Sequence, residues 1–121
     1  FADAVAAQFA LGTGENTSFM MGGADSPVNI WYWKAGLADP QNLAAAGFGS
    51  TTKLDQEDLQ VADLYKKNGE WIVVFSRPMQ TNGDYQVDLS EAVHLSLAVW
   101  QGETRQRDGL KHVMMGWVTV N

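Results

Sequence analysis

The pattern of apolar and polar residues along the chain predicts β-strands. The segment VNIWYWK, Val28 to Lys34, combines β-branched and aromatic residues, which are the side chains that strands favour. DAVAAQFA alternates only weakly, and its alanines are compatible with a strand or a helix. Two later runs, HLSLAVWQ and HVMMGWVTV, are also predicted strands; they extend from His94 to Gln101 and from His112 to Val120.

The clearest local signal is a hairpin in ADLYKKNGEWIVVFSR. Its dipeptide Asn68-Gly69 is typical of a two-residue type I′ turn between two strands. In the second strand, alternation places every second side chain on one face. The residues predicted to share that face are Trp71, Val73 and Phe75.

The region between Lys34 and Val61 lacks a sustained period. It is rich in Gly, Ala, Asp and Thr, and we expect a long loop with one helical turn from Pro40 to Ala46. The predicted fold class is therefore mostly β: an antiparallel β-sandwich with a long inserted loop and little helix. At 121 residues, the chain is expected to form a single domain, 1–121.

Composition narrows the classes of function. The net charge of −6 argues against a nucleic-acid partner, because binding to a phosphate backbone needs a basic surface. There is no apolar run long enough for a membrane span, so none is expected. The chain has no cysteine, which excludes disulfides, thiolate metal ligands and covalently attached c-type haem.

Motifs for enzymatic chemistry are missing from the sequence. There is no G-x-S-x-G nucleophile motif and no H-E-x-x-H zinc motif. LGTGENT has two glycines but lacks the lysine that a phosphate-binding loop requires. We therefore expect that the chain is not itself an enzyme.

Side-chain types that can ligate haem iron occur at two places in the sequence. SFMMGG supplies Met20 and Met21, and the segment RQRDGLKHVMM supplies Lys111 and His112. Haem iron accepts thioether and nitrogen donors, and glycines allow a flat ligand to come close to the backbone. The alternative is that the methionines fill the core and that Lys111 is a solvated turn residue.

Five segments, in order, resemble one known family. They are FADAVAAQF, FMMG, PVNIWYWKA, NGEWIVVFSRPM and LAVWQGETRQRDGLKHV, and they extend from Phe1 to about Trp117. The chain is similar to the haem-b-binding γ-subunit domain of periplasmic molybdenum enzymes related to dimethyl sulfoxide reductase. That group includes ethylbenzene dehydrogenase, dimethyl sulfide dehydrogenase, chlorate and selenate reductase, and nitrite oxidoreductase.

The resemblance implies a six-coordinate haem b with one methionine and one lysine ligand. The methionine of the FMMG segment corresponds to Met21, with Met20 as the alternate. The lysine of the RDG-x-K segment corresponds to Lys111, with His112 as the alternate, because related cytochrome domains use a methionine–histidine pair. A lysine ligand must be neutral, and burial favours the neutral form.

Four further residues are candidates for contact with the haem. Trp31 and Trp33 are predicted to wall its edge, and the alternative is that they are core aromatics. Arg105 and Arg107 are predicted to pair with the haem propionates, since a guanidinium group can bind a carboxylate through two hydrogen bonds. The alternative for both arginines is a solvated loop position.

The implied function is electron transfer by a subunit of an oxidoreductase complex. The expected partners are a molybdenum-containing catalytic subunit, an iron–sulfur subunit and a soluble cytochrome c, in the periplasm or another extracytoplasmic space. Family members carry further strands before the segment at Phe1, so the chain is expected to lack some strands of the full domain. The alternative function is a carbohydrate-binding β-sandwich module, since acidic sandwiches with exposed aromatic residues often stack sugars.

Overall fold

A computed structural model describes residues 3–11, 22–23, 26–36, 39–47, 51–55, 59–65, 70–81, 83, 85–100, 112–113 and 117–120. These parts of the chain contain strands and no helix. The strands are β1 (Ala4–Ala10), β2 (Val28–Lys34), β3 (Gln41–Ala45), β4 (Thr52–Lys53), β5 (Gln60–Tyr65), β6 (Trp71–Ser76), β7 (Val93–Trp100), β8 (His112–Val113) and β9 (Val118–Val120).

The strands form two antiparallel sheets. The large sheet has seven strands in the order β4-β3-β2-β1-β7-β8, and β9 also pairs with β7. The small sheet contains only β5 and β6. Phe75 of β6 packs on the core of the large sheet, so the two sheets lie face to face. The predicted fold class, a mostly β antiparallel sandwich, is confirmed.

The alanine-rich strand β1 occupies the centre of the large sheet. It pairs with β2 from Ala4↔Lys34 to Ala10↔Val28, and with β7 from Ala4↔Trp100 to Phe9↔Leu95. Alanine favours helix when a segment is isolated. Two flanking strands satisfy the backbone hydrogen bonds of β1 on both sides, and this tertiary pairing decides its conformation.

The predicted helical turn from Pro40 to Ala46 is wrong. Residues Gln41–Ala45 form β3, which pairs with β2 from Val28↔Ala45 to Tyr32↔Gln41. The edge of β2 supplies an extended template, and it overrides the helix propensity of the alanines in this short segment. The long inserted loop is therefore partly regular, since β4 extends the sheet beyond β3.

The predicted hairpin between β5 and β6 is confirmed, but its register differs from that of a two-residue turn. Such a turn at Asn68-Gly69 would place Tyr65 opposite Ile72. The structure instead pairs Tyr65 with Trp71 and Val61 with Phe75. This one-residue offset indicates a connection with an odd number of residues; residues 66–69 themselves lie outside the described parts. The predicted alternation along β6 is confirmed, with every second side chain half-buried.

The predicted last strand, His112 to Val120, is divided in two. Val113 of β8 pairs with Ala98, and Val118 of β9 pairs with Leu95. Both pieces therefore lie along the same edge of β7. Four residues, 114–117, lie between Val113 and Val118 in the sequence. Only two residues of β7 lie between their partners, Ala98 and Leu95.

The large sheet has two distinct faces. Its inner face packs on β6. The buried cluster between them contains Ala7, Phe9, Trp31 and Val93 of the large sheet, with Leu59 and Val87 from connecting segments. Its opposite face carries five buried alanines from three strands and is called the alanine face below. Its defining residues are Ala4, Ala6, Ala10, Ala45 and Ala98.

Candidate functional site

The structure describes some of the predicted site residues and not others. Met20, Met21, Arg105, Arg107 and Lys111 lie outside the described residues. His112 is described as part of β8, where its backbone pairs with Val99. Trp31 and Trp33 lie in β2, and their side chains are described.

Trp31 and Trp33 are buried on the inner face. The ring centroids of Trp31 and Phe9 lie 4.5 Å apart, and the guanidinium carbon of Arg77 lies 5.2 Å from the centroid of the Trp31 ring. Trp33 is only 1% exposed and meets Trp71 of the small sheet edge to face at 5.2 Å. Neither ring is available to stack a sugar, so their positions do not favour the carbohydrate-binding alternative.

Tyr32 lies on the other side of β2, as alternation predicts. Its ring meets that of Trp100 at 5.5 Å in an edge-to-face arrangement. Both side chains pack against the apolar cluster of the alanine face, together with Leu43 and Trp117. This face therefore combines alanines and branched aliphatic side chains with the aromatic rings of Tyr32 and Trp100.

Gly22 marks one side of the alanine face. It has a φ of +75°, and a Cβ atom there would lie 2.6 Å from the carbonyl oxygen of Ser26. The same atom would lie 3.3 Å from Cγ1 of Val28 and 3.2 Å from the carbonyl oxygen of Ala45. Only glycine fits this close approach without strain. Gly22 directly follows Met21, so the backbone after the predicted methionine ligand is anchored beside β2 and β3.

Strand β8 marks the other side of the same sheet. It begins at His112, one residue after Lys111, and the Val113 backbone pairs with Ala98 of the alanine face. His112 occupies the register position of Val99, whose side chain belongs to the opposite face.

Two asparagines form a buried polar network that sequence reasoning missed. Asn29 Nδ2 donates to Asn42 Oδ1 at 2.7 Å and to the carbonyl oxygen of Leu43 at 3.0 Å. Asn29 Oδ1 accepts from Trp31 Nε1 at 3.2 Å and from the Val87 amide at 3.0 Å. The available signal was an amide inside the hydrophobic run VNIWYWK, which in a buried strand implies a partner.

The described residues contain neither a cluster of metal-binding side chains nor a membrane-spanning helix. Among the described residues, no group of three or more histidine, aspartate or glutamate side chains is placed to hold a metal ion. Within the same parts of the chain, no helix has the length and apolar character needed to cross a membrane.

Comparison with known proteins decides the family. Residues 53–112 match the model of the ethylbenzene dehydrogenase family. The chain is also 40% identical over 125 residues to dimethylsulfide dehydrogenase subunit gamma of Rhodovulum sulfidophilum, across 98% of this chain and 47% of that protein. The chain belongs to this family.

Two further relatives extend the match. Chlorate reductase subunit gamma of Ideonella dechloratans is 36% identical over 97% of this chain and 49% of its own length. A putative respiratory nitrate reductase heme subunit of Haloferax mediterranei is 33% identical over 93% of this chain and 41% of its own length. The chain spans about half the length of these relatives. The predicted resemblance to γ subunits is thereby confirmed.

Proposed function

We propose that this chain binds one haem b non-covalently at the alanine face and transfers electrons as a subunit of an oxidoreductase complex. One observation carries the proposal. The two segments that hold the predicted iron ligands adjoin described backbone on this one sheet: Gly22 beside β2 and β3, and β8 beside β7.

The two segments lie on opposite sides of the sheet. In the sheet order, β8 lies three strands from β2, which corresponds to roughly 14 Å at the usual strand spacing. The β1 partners of Val28 and Val99, which are Ala10 and Val5, also lie five residues apart along that strand. Met21 is the proposed thioether ligand, with Met20 as its alternate.

Lys111 is the proposed nitrogen ligand, with His112 as its alternate. The backbone of His112 pairs with Val99; the family resemblance favours the lysine. The amine must be neutral to donate its electron pair, and burial against the apolar alanine face favours the neutral form. Haem iron, when bound, supplies a one-electron couple whose potential depends on these ligands and on burial.

The remaining haem contacts follow from the choice of face. Ala6 and Ala98 are the proposed apolar contacts of the haem, and Tyr32 and Trp100 are the aromatic rings beside them. Arg105 and Arg107 remain the proposed partners of the propionates. The prediction that Trp31 and Trp33 wall the haem is not tested. It does not form part of this proposal, because both rings are buried on the inner face and a haem at the alanine face would not touch them.

The names of the relatives support the assembly part of the proposal. Two are gamma subunits of a dehydrogenase and a reductase, and the third is a heme subunit. We propose corresponding partners for this chain: a molybdenum-containing catalytic subunit, an iron–sulfur subunit and a soluble cytochrome c, in an extracytoplasmic space. In this proposal the chain itself catalyses no reaction.

Absorption spectroscopy of the purified protein tests haem binding. We expect a Soret band and resolved α and β bands on reduction, with one haem per chain by pyridine haemochrome assay. Ala98→Leu fills the floor of the alanine face and should lower haem content. Ala62→Leu makes the same change at an exposed position of β5 and should not. Wild-type protein that binds no haem under any condition contradicts the proposal.

A further inference from the structure

The small sheet covers only part of the inner face of the large sheet. Trp33 of β2 packs on Trp71 of β6, so the region around β2 is covered. Farther along the large sheet, four apolar side chains of β7 and β9 remain 39–46% exposed. They are called the β7–β9 strip below and are Leu97, Val99, Val118 and Val120.

The register of β7 and β9 places this strip on the inner face. Leu97 lies opposite Ala7, which belongs to the buried core on that face. Val118 lies opposite Leu95, which packs against the same core. Alternation along the two strands places the other two members of the strip on the same side. The strip therefore continues the apolar surface of the core beyond the region that the small sheet covers.

The strip also borders the edge of the large sheet. β9 pairs with β7 on one side, and in the part of the chain that the structure describes no strand pairs with its other side. Folded proteins usually protect such an edge with charged residues or proline. β9 has the sequence Val-Thr-Val and contains neither. An apolar surface beside an unprotected edge is typical of a site where another polypeptide binds.

We propose that the β7–β9 strip binds another subunit of the complex, an inference that rests on the assembly part of the proposed function. The strip contains no charged residue, and the interfaces of permanent subunits are more apolar than those of transient partners. The partner is therefore a stably bound subunit with apolar side chains at the contact, and not the soluble cytochrome c.

Area and charge distinguish this partner from a second copy of the chain. Four half-exposed aliphatic side chains present far less area than the roughly 800 Å² that each partner contributes to a stable interface. The strip is therefore the apolar centre of a larger contact with a polar rim. The net charge of −6 makes a second copy repel this chain at such a rim. A subunit with an apolar centre and a basic rim complements both features.

The strip and the proposed haem contacts lie on opposite faces of β7. Leu97 and Ala98 are neighbours in this strand, and their side chains point to opposite sides of the sheet. A single layer of the large sheet therefore separates the bound subunit from the alanine face. Changes in the strip test assembly without altering the proposed haem contacts.

Single-cysteine labelling tests the strip, because the chain has no cysteine of its own. Val118→Cys is treated with a water-soluble maleimide in the isolated full chain and in the purified complex, which is identified by its molybdenum and iron–sulfur content. We expect labelling to be about 10-fold slower or more in the complex, since the centre of an interface excludes solvent. Val74→Cys, at an exposed valine of β6, should react at the same rate in both samples.

A charge placed in the strip tests assembly directly. Val118→Lys introduces an unpaired ammonium group into the contact, so the fraction of chain recovered in the complex should fall about 10-fold or more. The haem content of the chain should stay at the wild-type value. Val74→Lys makes the same change outside the strip and should assemble as wild type does.

Four results overturn the inference and leave the proposed function standing. Equal labelling of Val118→Cys in both samples, or normal assembly of Val118→Lys, shows that the subunit binds elsewhere. Protection of Val118→Cys in the isolated chain assigns the strip to a second copy if dilution removes the protection, and to the chain itself if dilution does not. A wild-type chain that binds haem but purifies without a molybdenum or iron–sulfur subunit instead contradicts the assembly part of the proposed function, and the inference with it.

Discussion

Asn29 Nδ2 donates a 2.7 Å hydrogen bond to Asn42 Oδ1 in the interior between the two sheets. The Asn42 amide nitrogen in turn donates to the carbonyl oxygen of Asp55 at 2.8 Å and to Gln86 Oε1 at 2.7 Å. The pair therefore joins β2 and β3 to two connecting segments. Buried amides of this kind stabilise a fold only while every donor and acceptor is paired.

Removal of the Asn29 amide should destabilise the protein strongly. Asn29→Ala leaves Asn42 Oδ1, Trp31 Nε1 and the Val87 amide without their present partner. We expect a loss of about 3 kcal/mol or more in the free energy of unfolding, measured by urea denaturation. Gln60→Ala removes an exposed amide from β5 and should cost less than about 0.5 kcal/mol. Similar losses for the two variants would show that the network contributes little.

Gly22 should not tolerate a side chain, whereas its neighbour Gly23 should. Gly22→Ala places a Cβ atom 2.6 Å from the Ser26 carbonyl oxygen at a φ of +75°, and we expect a cost of roughly 1–3 kcal/mol from backbone strain alone. A Cβ at Gly23 meets no atom within 4 Å. The thermal unfolding temperature and the haem content should both fall for Gly22→Ala and change little for Gly23→Ala. Equal tolerance at the two positions would contradict the close packing at Gly22.

The pKa of Asp88 provides a pH-dependent prediction. The Ser90 hydroxyl and the Ser90 amide donate to Asp88 Oδ1 at 2.5 and 2.9 Å and lower the pKa of this carboxyl, with smaller contributions from Gln80 and Arg77. A carboxyl with a lowered pKa stabilises the fold above its ordinary pKa of 3.8, and this contribution is lost as the pH falls through the folded value.

Ser90→Ala tests the cause of that shift. Without the hydroxyl, the pKa of Asp88 should rise toward its ordinary value, as followed by NMR titration of the side-chain carboxyl carbon. Ser76→Ala, on β6, removes a hydroxyl that does not contact Asp88 and should leave the titration curve in place. An unchanged Asp88 titration in Ser90→Ala would assign the shift to the other neighbours.

The two methionines of the FMMG segment should behave differently. Met21 directly precedes Gly22, which is anchored beside Val28, so we expect Met21→Ala to abolish the low-spin six-coordinate spectrum of the haem protein. Met20→Ala should retain it. If Met20→Ala alone gives five-coordinate haem, the ligand is Met20.

The second axial ligand is tested by a pair of alanine variants. Lys111→Ala should give five-coordinate or water-ligated haem, while His112→Ala should keep the ligand set. In wild type, acidification should release the amine in a step that takes up one proton, since the proton competes with iron for the same electron pair. Near-infrared magnetic circular dichroism distinguishes amine–thioether from imidazole–thioether ligation. An imidazole signature that disappears in His112→Ala would assign the ligand to His112.

The sequence predicted most clearly those strands whose side chains alternate in polarity. Val28 to Lys34 and the two strands around Asn68-Gly69 were identified because β-branched and aromatic residues are concentrated there. β3 was missed because Asn-Leu-Ala-Ala has no strand pattern of its own. Its conformation depends on the edge of β2, which is a long-range effect that local propensity does not contain.

The candidate site was predictable as residue types but not as a place in the fold. Family resemblance identified the Met20–Met21 pair and the Lys111–His112 pair, yet no pattern indicated which face of the sheet lies between them. Our proposal for the alanine face rests on the close packing at Gly22 and on the register of β8.

The pairing of β1 with β7 also determines when the protein can fold during its synthesis. The paired residues are 86 positions apart at Phe9↔Leu95 and 96 apart at Ala4↔Trp100. A contact of such long range forms slowly, because a large chain loop must close first. On the ribosome, β1, β2 and β3 can associate early as consecutive antiparallel strands. The free edge of β1 must then wait for β7, so the proposed haem-binding face is completed only after most of the chain has been translated.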